Sequence, residues 1–95
     1  MVDYILKHLG YIAADDNTTS RVSDIVEEGE AYLSGYNPLI DWGKPSHFHK
    51  SLLKNYCMYS MSNALDDFQT NYGKELMLLN AEWEVANAEY ETEAE

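Results

Sequence analysis

Between residues 45 and 72 the apolar positions recur at helical spacing. Phe48, Leu52, Tyr56 and Tyr59 are separated by four, four and three residues, and Leu53, Cys57, Ala64 and Phe68 widen the same face. Pro45 and Ser46 form a helix start signal, because a serine hydroxyl can accept from the free N–H groups of a first turn. No Gly or Pro follows until Gly73. The pattern predicts one long central helix over 45–72. Its apolar surface is broad enough to need cover from more than one side.

The flanking segments supply shorter amphipathic pieces. Residues 3–9 read as a short helix that Asp3 caps, that places Ile5 and Leu9 on one face and that Gly10 stops. Tyr11 and Ile12 would tie the next loop to the core. The polar stretch 13–19 offers several N-caps. A second helix is predicted over 19–34, with Val22, Ile25, Val26, Gly29, Tyr32 and Leu33 on its apolar side, Asp24, Glu27, Glu28 and Glu30 opposite, and Gly35 at its end. Gly29 lies on the apolar side, which predicts a close approach of another helix.

Residues 36–44 break the regular pattern with Pro38 and Gly43, yet carry Tyr36, Leu39, Ile40 and Trp42. A loop this apolar needs cover, either by folding back on its own bundle or by packing on a neighbouring subunit. Asn71-Tyr72-Gly73 reads as a kink or break, and from there Tyr72, Leu76, Leu79, Trp83, Ala86 and Tyr90 alternate by four and three, the seam of helix–helix packing. Residues 92–95 carry no large apolar side chain and are expected to fray. The fold class predicted is all-α: a small bundle of about four helices, one domain over 1–91 with an acidic end at 92–95.

Composition narrows the functional classes. Ninety-five residues bury only about two-thirds of their unfolded surface, so oligomerisation is a natural way to complete the core. Eight Tyr and two Trp suit an interface. Seventeen acids against six bases give a net charge of −11, a poor basis for gripping nucleic acid. The lone Cys57 permits no internal disulfide, and the start of the chain lacks the features of a signal peptide. No apolar run approaches the roughly 20 residues of a membrane span. A soluble intracellular protein is expected. Charge is unevenly placed: no acid falls between Asp41 and Asp66, where Lys44, Lys50 and Lys54 stand with His47 and His49.

Candidate chemistry is thin. His47 and His49 are two apart and diverge on a helix, so a metal site is disfavoured. Cys57 lies on the apolar face, where a thiol is inert. Asp66 and Asp67 are adjacent and splayed, and the five glycines form no phosphate loop. No enzyme, cofactor or metal is expected.

Three stretches together carry a resemblance. They are Tyr4-Ile5-Leu6-Lys7-His8-Leu9-Gly10, then Ala31-Tyr32-Leu33-Ser34-Gly35-Tyr36, then Ala64-Leu65-Asp66-Asp67-Phe68-Gln69-Thr70-Asn71-Tyr72; with Asn63 just before the last, Phe68, Asn71 and Tyr72 fit a late N-x-x-x-x-F-x-x-N-Y element. The chain resembles the small head–tail connector, or head-completion adaptor, proteins of tailed bacteriophages. The resemblance covers most of the chain; its aromatic loop at 36–42 and acidic end depart from the family pattern. It implies a non-enzymatic subunit of a ring, typically of twelve, beneath the portal protein at the capsid vertex. Such a ring extends the channel for genomic DNA and offers a platform to a tail-side adaptor or tail terminator protein. It implies a place in the virion at the head–tail interface, after synthesis in the bacterial host cytoplasm. Tyr36, Trp42, Lys44, Lys50, Lys54, Trp83 and Tyr90 are then the candidate contacts to the portal or a neighbouring subunit. The competing reading is an acidic helical inhibitor of a basic partner, such as a nuclease immunity protein or a DNA-mimic anti-restriction protein.

Overall fold

The computed structural model describes residues 2–8, 10 and 15–94, with side chains up to residue 88. The expectations for Leu9, Tyr11 and Ile12, and for the side chain of Tyr90, fall outside the described residues. The described residues form five helices and no strand: α1 (Val2–His8), α2 (Asp16–Ser34), α3 (His47–Met61), α4 (Leu65–Asn71) and α5 (Gly73–Ala94).

Several helix ends have a local cause. Gly10 takes a φ of +90° just past α1, and its N–H reaches the Lys7 carbonyl at 3.2 Å. α2 begins three residues before the predicted start, because the Asp15 carboxylate accepts the Thr18 N–H at 2.7 Å. That bond holds the Asp15 carboxyl below its ordinary range. Ser46 caps α3 as its sequence position implies, accepting the His49 N–H at 3.1 Å.

The long central helix predicted over 45–72 is two helices. Asn63 adopts a φ of +54°, the left-handed region that Asn enters more readily than other side-chain-bearing residues. Around it the Ala64 N–H bonds the Tyr59 carbonyl at 2.8 Å and the Asn63 N–H bonds the Ser60 carbonyl at 3.1 Å, the paired bonds of a Schellman cap. The chain then turns into α4. The turn also corrects the expected core: Leu65 at the start of α4 is 37% exposed, whereas Leu52, Tyr56, Phe68, Leu76 and Leu79 are buried.

The core lies between α2 and α3, which make the most extensive contact, with α1 laid across both. Ile5, Val22, Leu33, Leu53 and Leu79 meet there almost fully buried, each worth about 1.5–3 kcal/mol of transfer free energy. Gly29 makes the approach possible, since a Cβ there would lie 2.7 Å from Leu53 Cδ1 and 2.8 Å from Tyr56 Cδ1. α4 is anchored by Phe68, whose ring stacks on Tyr72 at 4.9 Å and meets Tyr32, Tyr56 and Tyr59 edge-on at 5.6–6.1 Å. α5 packs chiefly on α4 and sends Leu76 and Leu79 into the core. The molecule is elongated, 53 × 27 × 18 Å.

Candidate interaction surface

The aromatic loop between α2 and α3 folds back on its own bundle. The Trp42 indole N–H donates to Ser34 Oγ at 3.0 Å, and Tyr36, Ile40 and Trp42 pack against the core. Two short side-chain turns hold the loop: Asn37 Oδ1 accepts the Leu39 N–H at 3.0 Å, and Asp41 Oδ1 accepts the Gly43 N–H at 2.9 Å. Tyr36 sits with its hydroxyl 3.4 Å from that of Tyr32. Of the loop's apolar residues, only Leu39 stands well out into solvent.

The basic zone lies on and before the first turns of α3. Lys44 is exposed, Lys54 is half-buried, and Lys50 holds its ammonium 4.2 Å from the centre of the Tyr4 ring. Among the described residues no carboxylate lies within ion-pair distance of these three lysines; the one ion pair joins His49 Nε2 to Glu82 Oε1 at 2.9 Å. His49 therefore faces α5, while His47 is exposed on another side of α3. Among the described residues no three His, Cys, Asp or Glu side chains gather as metal ligands. Cys57 is fully buried, and burial, with Glu30 adding to it, pushes its thiol up to about 12. No helix among the described residues is long and apolar enough to cross a membrane.

α5 presents two apolar faces. One carries Leu76, Leu79, Trp83 and Ala86 toward the bundle. Here Trp83 and Ala86, with Asn87, line a cleft of about 410 Å³ opposite Leu39. The other face carries Met77 (74% exposed), Leu78 (59%) and Val85 (59%) into solvent. A larger cleft of about 690 Å³ opens along α5 beside Tyr36 and Gln69, floored by Gly73, Leu76, Met77 and Asn80.

The candidate contacts thus separate. Tyr36 and Trp42 are largely engaged inside the fold, Lys44 is exposed just before α3, Lys50 and Lys54 lie half-buried on α3, and Trp83 lies half-buried in the cleft beside Leu39. Sequence reasoning missed Met58, Met77, Leu78 and Val85 as exposed apolar surface. The signal was present in Leu76-Met77-Leu78-Leu79, where consecutive apolar residues must wrap more than one helix face. Searches against protein-family models, curated proteins and solved structures returned no match for the chain.

Proposed function

We propose that the chain is a structural ring subunit of a tailed bacteriophage, a head–tail connector that sits beneath the portal and carries the tail-side adaptor or terminator. One observation carries the reading: α5 has apolar residues on opposite faces and its own bundle covers only one of them. Apolar side chains grouped on an uncovered helix face favour a partner that covers them. The resemblance supplies the setting. Its late motif occupies one corner of the fold, where Asn63 makes the turn, Phe68 anchors α4, Tyr72 stacks on Phe68, and the Asn71 amide donates to the Tyr59 hydroxyl at 3.1 Å. Residues with such structural duties are what a shared fold would retain.

In this reading the protein is not an enzyme. The acids repel the phosphates of DNA passing through the channel. The subunits stand in a ring of about twelve, as the resemblance implies. The competing role as an acidic inhibitor has less support, because the carboxylates are spread over α1, α2, α4 and α5 rather than gathered on one element. Cosedimentation with the cognate portal ring tests the reading. The full chain should travel with the portal, and a chain lacking residues 81–95 should remain folded and stay behind. A folded truncated chain that still travels with the portal would show that residues 81–95 are not needed to join it.

A further inference from the structure

The exposed face of α5 and the outer face of α3 have matching chemistry in opposite order along their helices. On α3 the side away from α5 carries His47 and Met58, both exposed, and Ser51 and Lys54, both half-buried, with Lys50 at its edge, its ammonium over the Tyr4 ring of α1. This face begins basic and ends apolar, with Met58 exposed, and α3 contains no acid. On α5 the outward face begins apolar with Met77, Leu78 and Ala81 and continues through Val85, with the exposed Glu84 beside it and no base in the second half of the helix.

We infer that α5 of one copy docks antiparallel on the outer face of α3 of a second copy, a deepening that rests on the ring reading above. The polarity follows from charge. In the antiparallel sense Met58 meets Leu78, Ser51 meets Val85, and Lys54 comes beside Glu84. Each of those two pairs is separated from the other by seven residues on its own helix, so both can be made in one register. In the parallel sense the lysines would meet Lys74 and Met77, and the glutamates would meet Met58. The occupant is a second copy because this chain carries both halves of the match on different sides of itself. His49 and Glu82 join α3 to α5 within one chain on the side away from His47, Lys54 and Met58, which leaves the outer face of α3 uncovered by its own α5. The two patches differ, so the contact is head-to-tail, and repetition gives a ring when the rotation closes. Two chains of net charge −11 repel at long range, so a basic patch with no acid of its own is what local attraction requires.

Cysteine cross-linking tests this contact without any portal. Two cysteines join only when their Cα atoms come within about 7 Å. Full-length Ser51→Cys and Val85→Cys proteins are mixed at millimolar concentration and physiological ionic strength, then oxidised; native Cys57 is fully buried. The mixed pair should form a disulfide dimer about tenfold faster than either protein alone. Adding Lys54→Glu to the first protein should slow the mixed link, and Glu84→Lys on the second should restore it in part. Circular dichroism confirms that each variant is folded. Equal rates for the mixed pair and the single proteins overturn the contact. So does dominance of the Val85→Cys self-link, which would mean that α5 pairs with α5. A chain that cross-links as predicted but ignores the portal keeps this contact and loses the connector role. A chain that binds the portal without the mixed link keeps the role and loses the contact.

Discussion

Gly29 of α2 lies so close to Leu53 of α3 that a Cβ there would come within 2.7 Å of Leu53 Cδ1. Leu53 is fully buried and cannot swing aside freely. Gly29→Ala would gain up to about 1 kcal/mol of helix propensity, yet overpacking of this kind costs about 1–3 kcal/mol. A net loss of about 1 kcal/mol is expected, lowering the melting temperature by about 4–8 °C. An unchanged or higher melting temperature would show that the two helices can move apart cheaply.

Asn63 sets the turn between α3 and α4 through its left-handed backbone. Asn63→Gly should change stability by no more than about 0.5 kcal/mol. Asn63→Val should cost about 1–2 kcal/mol, because a branched side chain is strained there. Urea denaturation of the pair measures both. Equal stabilities would mean that the turn adapts to its residue.

The two faces of α5 should respond differently to truncation. Leu79 is fully buried, so Leu79→Ala should cost about 2–5 kcal/mol. Met77 is 74% exposed, so Met77→Ala should stay within about 0.5 kcal/mol in the isolated chain. A large loss from Met77→Ala would mean that the outward face is already buried in solution.

Alkali should unfold the protein. Burial and the neighbouring Tyr36 raise the Tyr32 hydroxyl to about 12, and burial raises the Cys57 thiol to about 12. In the unfolded chain these groups ionise near 10.0 and 9.0. Both pKa values are higher in the folded state, so folding favours the neutral forms. Their contribution is complete below about pH 9 and is lost as pH rises toward about 12. Tyr56 and Tyr72 are shifted upward as well and add to the trend. Thermal melts across this window should show a falling midpoint, with tyrosine ionisation, followed by ultraviolet absorbance, delayed until unfolding. A midpoint constant to pH 12 would contradict the burial of these groups.

Periodicity made α2 legible, down to Gly29, because a repeat over many residues leaves one face for the core. Ser46 as a cap and Gly10 as a stop were legible because each acts within a few residues of itself. The break at Asn63 was not. It needs no Gly or Pro, and the helical spacing of the side chains continues across it from Tyr59 to Phe68. The pairing of His49 with Glu82 joins positions far apart in sequence, and nothing local announces it. For the loop, composition demanded cover but could not choose between its own bundle and a neighbour; the bond from Trp42 to Ser34 makes that choice. Aromatic type, the stripe running past the core and the placement of charge single out Tyr36, Trp42, Trp83, Tyr90 and the three lysines as contacts; exposure adds Met77, Leu78 and Val85, which none of these signals marks.

Native mass spectrometry of the cognate portal ring incubated with excess chain tests the proposed role as one subunit of an assembly on a portal. A single complex heavier than the portal by about twelve copies of the 10.9 kDa chain is expected, with the increment lost when residues 81–95 are removed. A portal whose mass is unchanged by a folded, full-length chain would contradict it.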